Sequence, residues 1–262
     1  MDKSISGKAE AILRNMVPIS LEEMDHVKLM QRKDTKFVLA AEKLIDILED
    51  VKDQYKVLEI NDKRIHEYHT VYYDTPEFSM YHSHHNQRLN RYKVRVREYL
   101  TSGISFLEVK FKNNKRETIK KRIPPLNSDL AGVKEADEFL KNNSPYSVKD
   151  IQPSLQNFFS RITLVNKVLP ERITIDLGLK YESAEGKKQL DLPKISVIEV
   201  KRNRDAMYSD MIVALQNHHI QKMGFSKYCI GTALTRPEVK INLFKTRLRE
   251  LSKLEESFVI KH

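Results

Sequence analysis

The sequence predicts an α+β fold: an antiparallel β-barrel tunnel of about eight strands, with a charged lumen and helices packed outside. Two observations predict it. First, three successive segments, Arg91–Tyr99, Ser105–Lys112 and Thr118–Ile123, place cations at alternate positions and apolar residues between them. A strand sends alternate side chains to opposite faces, so each segment has one basic and one apolar face. Second, amphipathic helices accompany these strands, and their apolar stripes need a surface to cover. The apolar strand faces provide it, which turns the charged faces toward one another.

The chain has 262 residues, 46 Lys plus Arg against 36 acids, and a formal charge of +10. A balance this basic points to polyanionic partners: nucleic acid, anionic lipid or phosphorylated small molecules. One cysteine, Cys229, rules out an internal disulfide and a cysteine-rich zinc site and fits a reducing, cytoplasmic compartment. No apolar run approaches the ~18 residues of a spanning helix, and the N-terminus lacks the apolar core of a signal peptide.

Residues 1–24 read as a helical arm. Ile5, Ala9, Ile12, Leu13 and Met16 recur at helical spacing, Pro18 interrupts, and Ser20 with Glu23 forms a capping box for a second short helix. Residues 25–235 carry the strands. Gln31–Leu39 reads as a strand with Arg32, Asp34 and Lys36 on one face. Ala40–Val51 follows as a helix, then strands at Tyr55–Ile60 and His66–Tyr73, and a short helix at Glu77–His85. Arg91, Lys93, Arg95 and Arg97 alternate with Tyr92, Val94 and Val96. Glu108, Lys110 and Lys112 alternate with Leu107, Val109 and Phe111, and Lys120 and Arg122 with Ile119 and Ile123. Residues 128–158 read as helix and loop. Strands resume at Phe158–Leu169, which carries Arg161, at Arg172–Leu177, and after a Glu185-Gly186 hairpin at Ile195–Arg202, where Glu199 and Lys201 share a face. Helices are expected at Met207–His219, after Gly224–Tyr228, and at 238–258 within a C-terminal helical segment, 236–262.

One basic strand is ordinarily a solvated outer face. Recurrence on about six strands favours convergence on a lumen. Two like charges ~6 Å apart at an effective dielectric of ~20 repel by about 2.8 kcal/mol, so such a lumen needs water, counter-ions or a polyanion. Guanidinium forks match phosphate oxygens, which makes a phosphate chain the expected ligand, whereas duplex nucleic acid is too wide for a small barrel. Among the carboxylates Glu108, Asp176 and Glu199, the last is the metal candidate, because hard divalent cations take carboxylate together with phosphate oxygens. His82, His84, His85, His218 and His219 lack zinc-ligand spacing, Cys229 is expected to pack, and no P-loop or Ser-His-Asp arrangement occurs.

Several segments in this order resemble the VTC domain, the catalytic domain of the vacuolar transporter chaperone family within the triphosphate tunnel metalloenzymes (CYTH-like). They are Gln31–Phe37, Tyr72–Thr75, Lys93–Tyr99, Phe106–Lys110, Arg161, Arg172–Asp176, Val197–Lys201 and Phe225–Tyr228. The resemblance implies a polyphosphate polymerase that moves the γ-phosphate of ATP onto a polyphosphate chain with a divalent metal, Mn2+ or Mg2+. It implies a catalytic set of Arg95, Arg97, Lys110, Arg172 and Glu199, with Glu199 holding the metal. Arg32, Lys36 and Arg161 would bind phosphates, and Ser226 and Lys227 would meet the chain near a mouth. Lys112, Lys120 and Arg122 match more loosely; Arg91 and Lys93 follow from alternation, and Lys201 shares the face of Glu199. Where the hydrolase branch has Glu-x-Glu-x-Lys, this chain has Arg32-x-Asp34-x-Lys36, which favours the polymerase branch. The family's membrane-spanning and phosphate-sensing SPX portions are not in this sequence, so a separate membrane partner is the expectation for any coupling to translocation. A tripolyphosphate or nucleoside triphosphate hydrolase and a non-catalytic polyphosphate-binding module are the alternatives. A nucleic-acid module would need outward cations with exposed stacking aromatics, which the alternation opposes.

Overall fold

The computed structural model describes residues 3–26, 32–124, 130 and 133–255, with backbone only at 3, 4, 25, 26 and 32. The chain opens with α1 (Lys3–Arg14), which buries Ala9, Ile12 and Leu13. Pro18 does not end ordered structure. It sits in the short strand β1 (Val17–Ile19), which pairs parallel with β3 (Tyr55–Leu58) at the margin of the sheet, where a missing N–H is tolerated. The capping box of α2 (Leu21–His26) is formed: the Ser20 N–H donates to Glu23 Oε2 at 2.8 Å and the Glu23 N–H to Ser20 Oγ at 3.2 Å.

β2 (Arg32–Ala40), α3 (Lys43–Val51), β4 (His66–Asp74), α4 (Ser79–His85), β5 (Arg91–Tyr99), β6 (Ile104–Lys112) and β7 (Thr118–Ile123) follow the expected order. After α5 (Lys134–Asn143), β8 (Gln152–Asn166) begins earlier than the sequence indicates. Pro153 is accommodated because the register with β4 shifts at Tyr72/Tyr73, opposite it. β9 (Glu171–Ser183) is long enough to pair twice. Its first half takes β11 (Ile195–Asn203) and its second takes β10 (Gln189–Leu192), a strand the sequence reading misses. Then come α6 (Asp210–Asn217), α7 (Lys227–Thr235), a 3₁₀ turn at Asn242–Phe244 and α8 (Lys245–Leu254). Residues 27–31 and 256–258, read from sequence as parts of strand and helix, lie outside the described residues.

The main path of the sheet runs β2-β11-β9-β8-β4-β5-β6-β7, with neighbours antiparallel. It is not closed, in contrast to the expected barrel: β2 and β7 are its ends. The outer edge of β2 is instead met by the segment before α7, where the Met223 N–H donates to the Lys36 carbonyl at 2.8 Å and Lys222 bridges Phe37. β7 is short and solvent-exposed, and carries Lys120, Lys121 and Arg122, the charges that keep an edge from pairing.

The convex face is apolar. Phe37, Ile198, Ile173, Ile175, Ile162 and Leu164 pack with α1, α3 and α6. Val94, Val96, Leu107 and Val109 pack with α5. The concave face departs from the expectation of outside helices. At one end it receives α4, α7 and α8, through a core of Tyr68, Tyr72, Phe159, Tyr181, Tyr81, Tyr228 and Leu248. α7 lies so close that a Cβ at Gly231 would stand 2.4 Å from Tyr181 and 2.6 Å from Leu155. No helix among the described residues is long and apolar enough to cross a membrane.

Candidate functional site: a basic basin on the concave face

Strand register decides which side chains meet. One rung reads Tyr72, Arg95, Glu108, Arg122 across β4 to β7, and the next reads Lys93, Lys110, Lys120. On the other wing Lys36 lies opposite Glu199 and Glu199 opposite Thr174; Lys201 lies opposite Asp34 and Arg172; and Arg161 lies opposite Asp176. All of these belong to the concave face. Ser226 and Lys227 arrive from the start of α7. Ser226 caps that helix through the Cys229 N–H and also accepts from Lys93 Nζ at 2.9 Å, so the helix start is tied to β5. Arg91 and Lys112 stand at the rim, and Arg122 lies 4.6 Å over the Phe106 ring on the outer wing. Arg32 is in β2, and its side chain is outside the described residues.

Three carboxylates organise the cations. Arg95 Nε and Nη2 reach Glu108 Oε2 at 2.7 and 2.6 Å, and Lys120 holds its other oxygen. Arg161 Nε and Nη2 donate to the two oxygens of Asp176 at 2.6 and 2.9 Å, and Lys227 adds a third contact. Glu199 is gripped by Lys36 at 3.2 Å and by Lys201, which also donates to Thr174 Oγ1 at 3.0 Å. Burial alone would raise all three acids. The cations overcome it, holding Glu108 down to about 2 and Asp176 and Glu199 well below the ordinary carboxylate range. The carboxylates therefore stay ionised and act as fixed anchors for the guanidinium planes.

Positive charge is left over between these pairs. Burial pushes Lys93 down to about 8, assisted by Lys36, Arg91 and Arg95. Burial and then Lys93 and Arg95 push Lys110 down to about 7, although its tip opens onto water that screens part of the effect. Arg97 is buried, donates to Thr70 Oγ1 at 3.3 Å, and lies 5.6 Å from the Tyr68 and Phe159 ring centres. Arg161 and Lys227 stack on the same Phe159 ring, at 5.3 and 4.4 Å. The basin floor is thus aromatic, and its walls are cationic.

The family model for the VTC domain matches residues 31–236. The chain belongs to the VTC domain family. No curated protein sequence matches it. Solved structures similar to it include a candidate adenylate cyclase from Bacillus halodurans, with TM-score 0.47 and 11% identity over 75% of this chain and 96% of that one. Another is a candidate adenylate cyclase from Vibrio parahaemolyticus, with TM-score 0.45 and 14% identity over 78% and 99%. A third is a candidate adenylyl cyclase from Hippeastrum described as having a dominant triphosphatase activity, with TM-score 0.44 and 12% identity over 82% and 99%.

The VTC domain opens outward between its two sheet edges through a cleft of about 890 Å3, at the upper end of small-molecule sites. Lys36, Lys93 and Lys110 line its inner part. Several contributors to the site were not read from the sequence. The Tyr68–Phe159 floor consists of aromatics inside alternating strands, where they look like core. His84 of α4 also lines the cleft; burial, then Lys93 and Arg91, hold its imidazole strongly toward the neutral form. Asp74, quoted from sequence only as part of a motif, is fully buried. It accepts N–H bonds from Thr75, Met80 and Tyr81, each at 2.8 Å, and the Tyr228 hydroxyl, which joins β4, α4 and α7. A VTC domain with this basin presents converging cations suited to triphosphate-type polyanions. Among the described residues no group of three or more His, Cys, Asp or Glu is placed to hold a metal ion. Glu199 supplies one ionised carboxylate, a donor set that fits a divalent cation only when phosphate oxygens complete its shell.

Proposed function

We propose that this VTC domain is a polyphosphate polymerase, an ATP–polyphosphate phosphotransferase working in the concave basin. The observation that carries this reading is the leftover charge. Glu108, Asp176 and Glu199 are each already paired with two cations, while Lys93, Lys110 and Arg97 converge without an ion-paired carboxylate of their own among the described residues. A phosphate chain brings several negative charges along a line and supplies what the basin lacks.

Arg95 and Arg161 are held in fixed planes by Glu108 and Asp176, with part of each fork left to grip β- and γ-phosphate oxygens. Arg97, Lys110 and Arg172 stabilise charge on the transferred group, and Lys36, Lys201 and Lys227 complete the phosphate contacts. The terminal oxygen of phosphate or a growing chain attacks the γ-phosphorus. A new P–O bond forms, the bond to the β-phosphate oxygen breaks, and ADP leaves. The acceptor is already anionic, so positioning and charge stabilisation carry the reaction without a side-chain nucleophile. Glu199 would hold Mn2+ or Mg2+, which when bound neutralises charge on the phosphates. In this reading residues 25–235 form the catalytic unit, flanked by an N-terminal arm (1–24) and a C-terminal helix (236–262). The protein works in the cytoplasm, and a separate membrane protein takes any product that crosses a membrane.

The test is incubation with ATP and Mn2+, with products resolved by chain length on a gel. Chains that lengthen with time are expected. Release of orthophosphate alone would make the protein a hydrolase of the same basin. Tight tripolyphosphate binding without turnover would make it a binding module.

A further inference from the structure

The family match ends at residue 236, yet the cleft is not walled by the matched residues alone. The segment after it folds back across the concave side, and Leu243, Phe244 and Arg247 form part of the lining. Phe244 fixes the segment: it is buried against Tyr81 and His85, with ring centres 6.0 and 5.3 Å away. One turn further on, Arg247 extends toward the strand-edge segment. Its Nη2 would lie 3.5 Å from a Cβ placed on Gly224, next to the residues that cover the edge of β2. Its guanidinium rests 6.0 Å from the Phe244 ring centre, and among the described residues no carboxylate pairs with it. Around it the outer cleft is lined by Lys33, Arg116 and Lys222, with Asp34 the one acid among the described lining residues. Arg116, Lys222 and Arg247 lie on loops and on a helix, and Lys33 lies on β2 out of phase with Lys36, so the alternating inner-basin set does not account for them.

We infer that α8 and the neighbouring loop tips form a second phosphate subsite at the mouth, centred on Arg247 and Lys222, which binds the distal phosphates of a chain too long for the inner basin. The inference rests on the polyphosphate reading of that basin and extends it. Inner cations hold the reacting triphosphate end, and outer cations hold the rest of the chain. The protein then selects long polyphosphate over tripolyphosphate through cations at the mouth, of which Arg247 lies beyond the matched family region. Each outer cation is a point charge or fork on an accessible surface, so its contribution is modest and depends on salt.

The experiment compares two probes, tripolyphosphate and a polyphosphate of several tens of phosphates, by calorimetry on the full chain with chelator present so that turnover cannot intervene. The variants are Arg247→Gln and, on a separate exposed loop, Lys222→Gln. Each is expected to weaken long-chain binding by about five- to tenfold and to flatten its salt dependence, the signature of lost cation–phosphate contacts. Each should leave tripolyphosphate within about twofold of the parent, as expected for cations outside the inner basin. Equal weakening of both probes, or no change in either, overturns the inference and leaves the polymerase reading standing. Failure of the parent protein to bind tripolyphosphate overturns both.

Discussion

If the inner basin awaits a polyanion, binding must take up protons. Lys93 is the group to follow. It faces Lys36 from β2, Arg91 and Arg95 from its own strand, Lys110 from β6, His84 from α4, and Ser226 and Cys229 from α7. Its ammonium is held down to about 8, against an ordinary value of 10.5. A bound phosphate chain cancels the repulsion and raises it again. Affinity is therefore greatest where Lys93 is already protonated and declines as pH rises through 8. For a group titrating near 8, the change from pH 7 to pH 9 is about tenfold, or about 1.4 kcal/mol. Lys110, at about 7, adds in the same direction, less a share for the water that screens its exposed tip. Phosphate groups titrate near ~6 and stay ionised throughout this window. The ligand-free protein has the opposite tendency. A lysine whose folded value lies below its unfolded value contributes stability that grows as pH rises through 8, because the unfolded chain then binds more protons. The assay is calorimetry with tripolyphosphate at pH 8 in two buffers of different ionisation enthalpy, which counts protons directly. The comparison variant is Lys93→Arg, which keeps the charge but no longer titrates. Net uptake that falls in the variant is expected. No uptake in the parent protein, or uptake unchanged by the variant, would refute the electrostatic account of the basin.

Three further outcomes are expected. Asp74→Ala removes the acceptor of three backbone N–H groups and the Tyr228 hydroxyl in a buried joint; a loss of about 3 kcal/mol, or roughly 6–12 °C in Tm, should appear in a thermal melt. Gly231→Ala places a methyl against Tyr181 and Leu155, which should cost about 1–3 kcal/mol. By moving α7 it should also weaken tripolyphosphate binding through Ser226 and Lys227, and a neutral variant would show that α7 does not seat the basin. Glu199→Gln should keep tripolyphosphate binding in chelator while metal-dependent turnover drops about a hundredfold or more. Full turnover in that variant would move the metal role elsewhere.

Alternation is a local property of a strand, and for that reason the inward set was legible from the sequence. Within one strand, Arg91, Lys93, Arg95 and Arg97 share a face because they are two residues apart along an extended chain, as do Glu108, Lys110 and Lys112, and Glu199 with Lys201. The helix stripes and the Ser20–Glu23 box are local in the same sense. Register is not local. It was the tertiary structure that set Arg161 on Asp176, Lys36 on Glu199 and Arg95 on Glu108, and so gave Glu108 and Asp176, carboxylates without an assigned role in the sequence reading, a place as anchors. The open sheet is likewise a matter of distant partners, since the edge of β2 is met by residues near 222 rather than by β7. The entry of α4, α7 and α8 onto the concave face had no signal in their spacing, because an apolar stripe is satisfied equally by either side of a sheet. Ser226 and Lys93 are 133 residues apart in sequence. Their hydrogen bond exists because close packing leaves α7 one position beside β5, and no periodicity along the chain specifies that position.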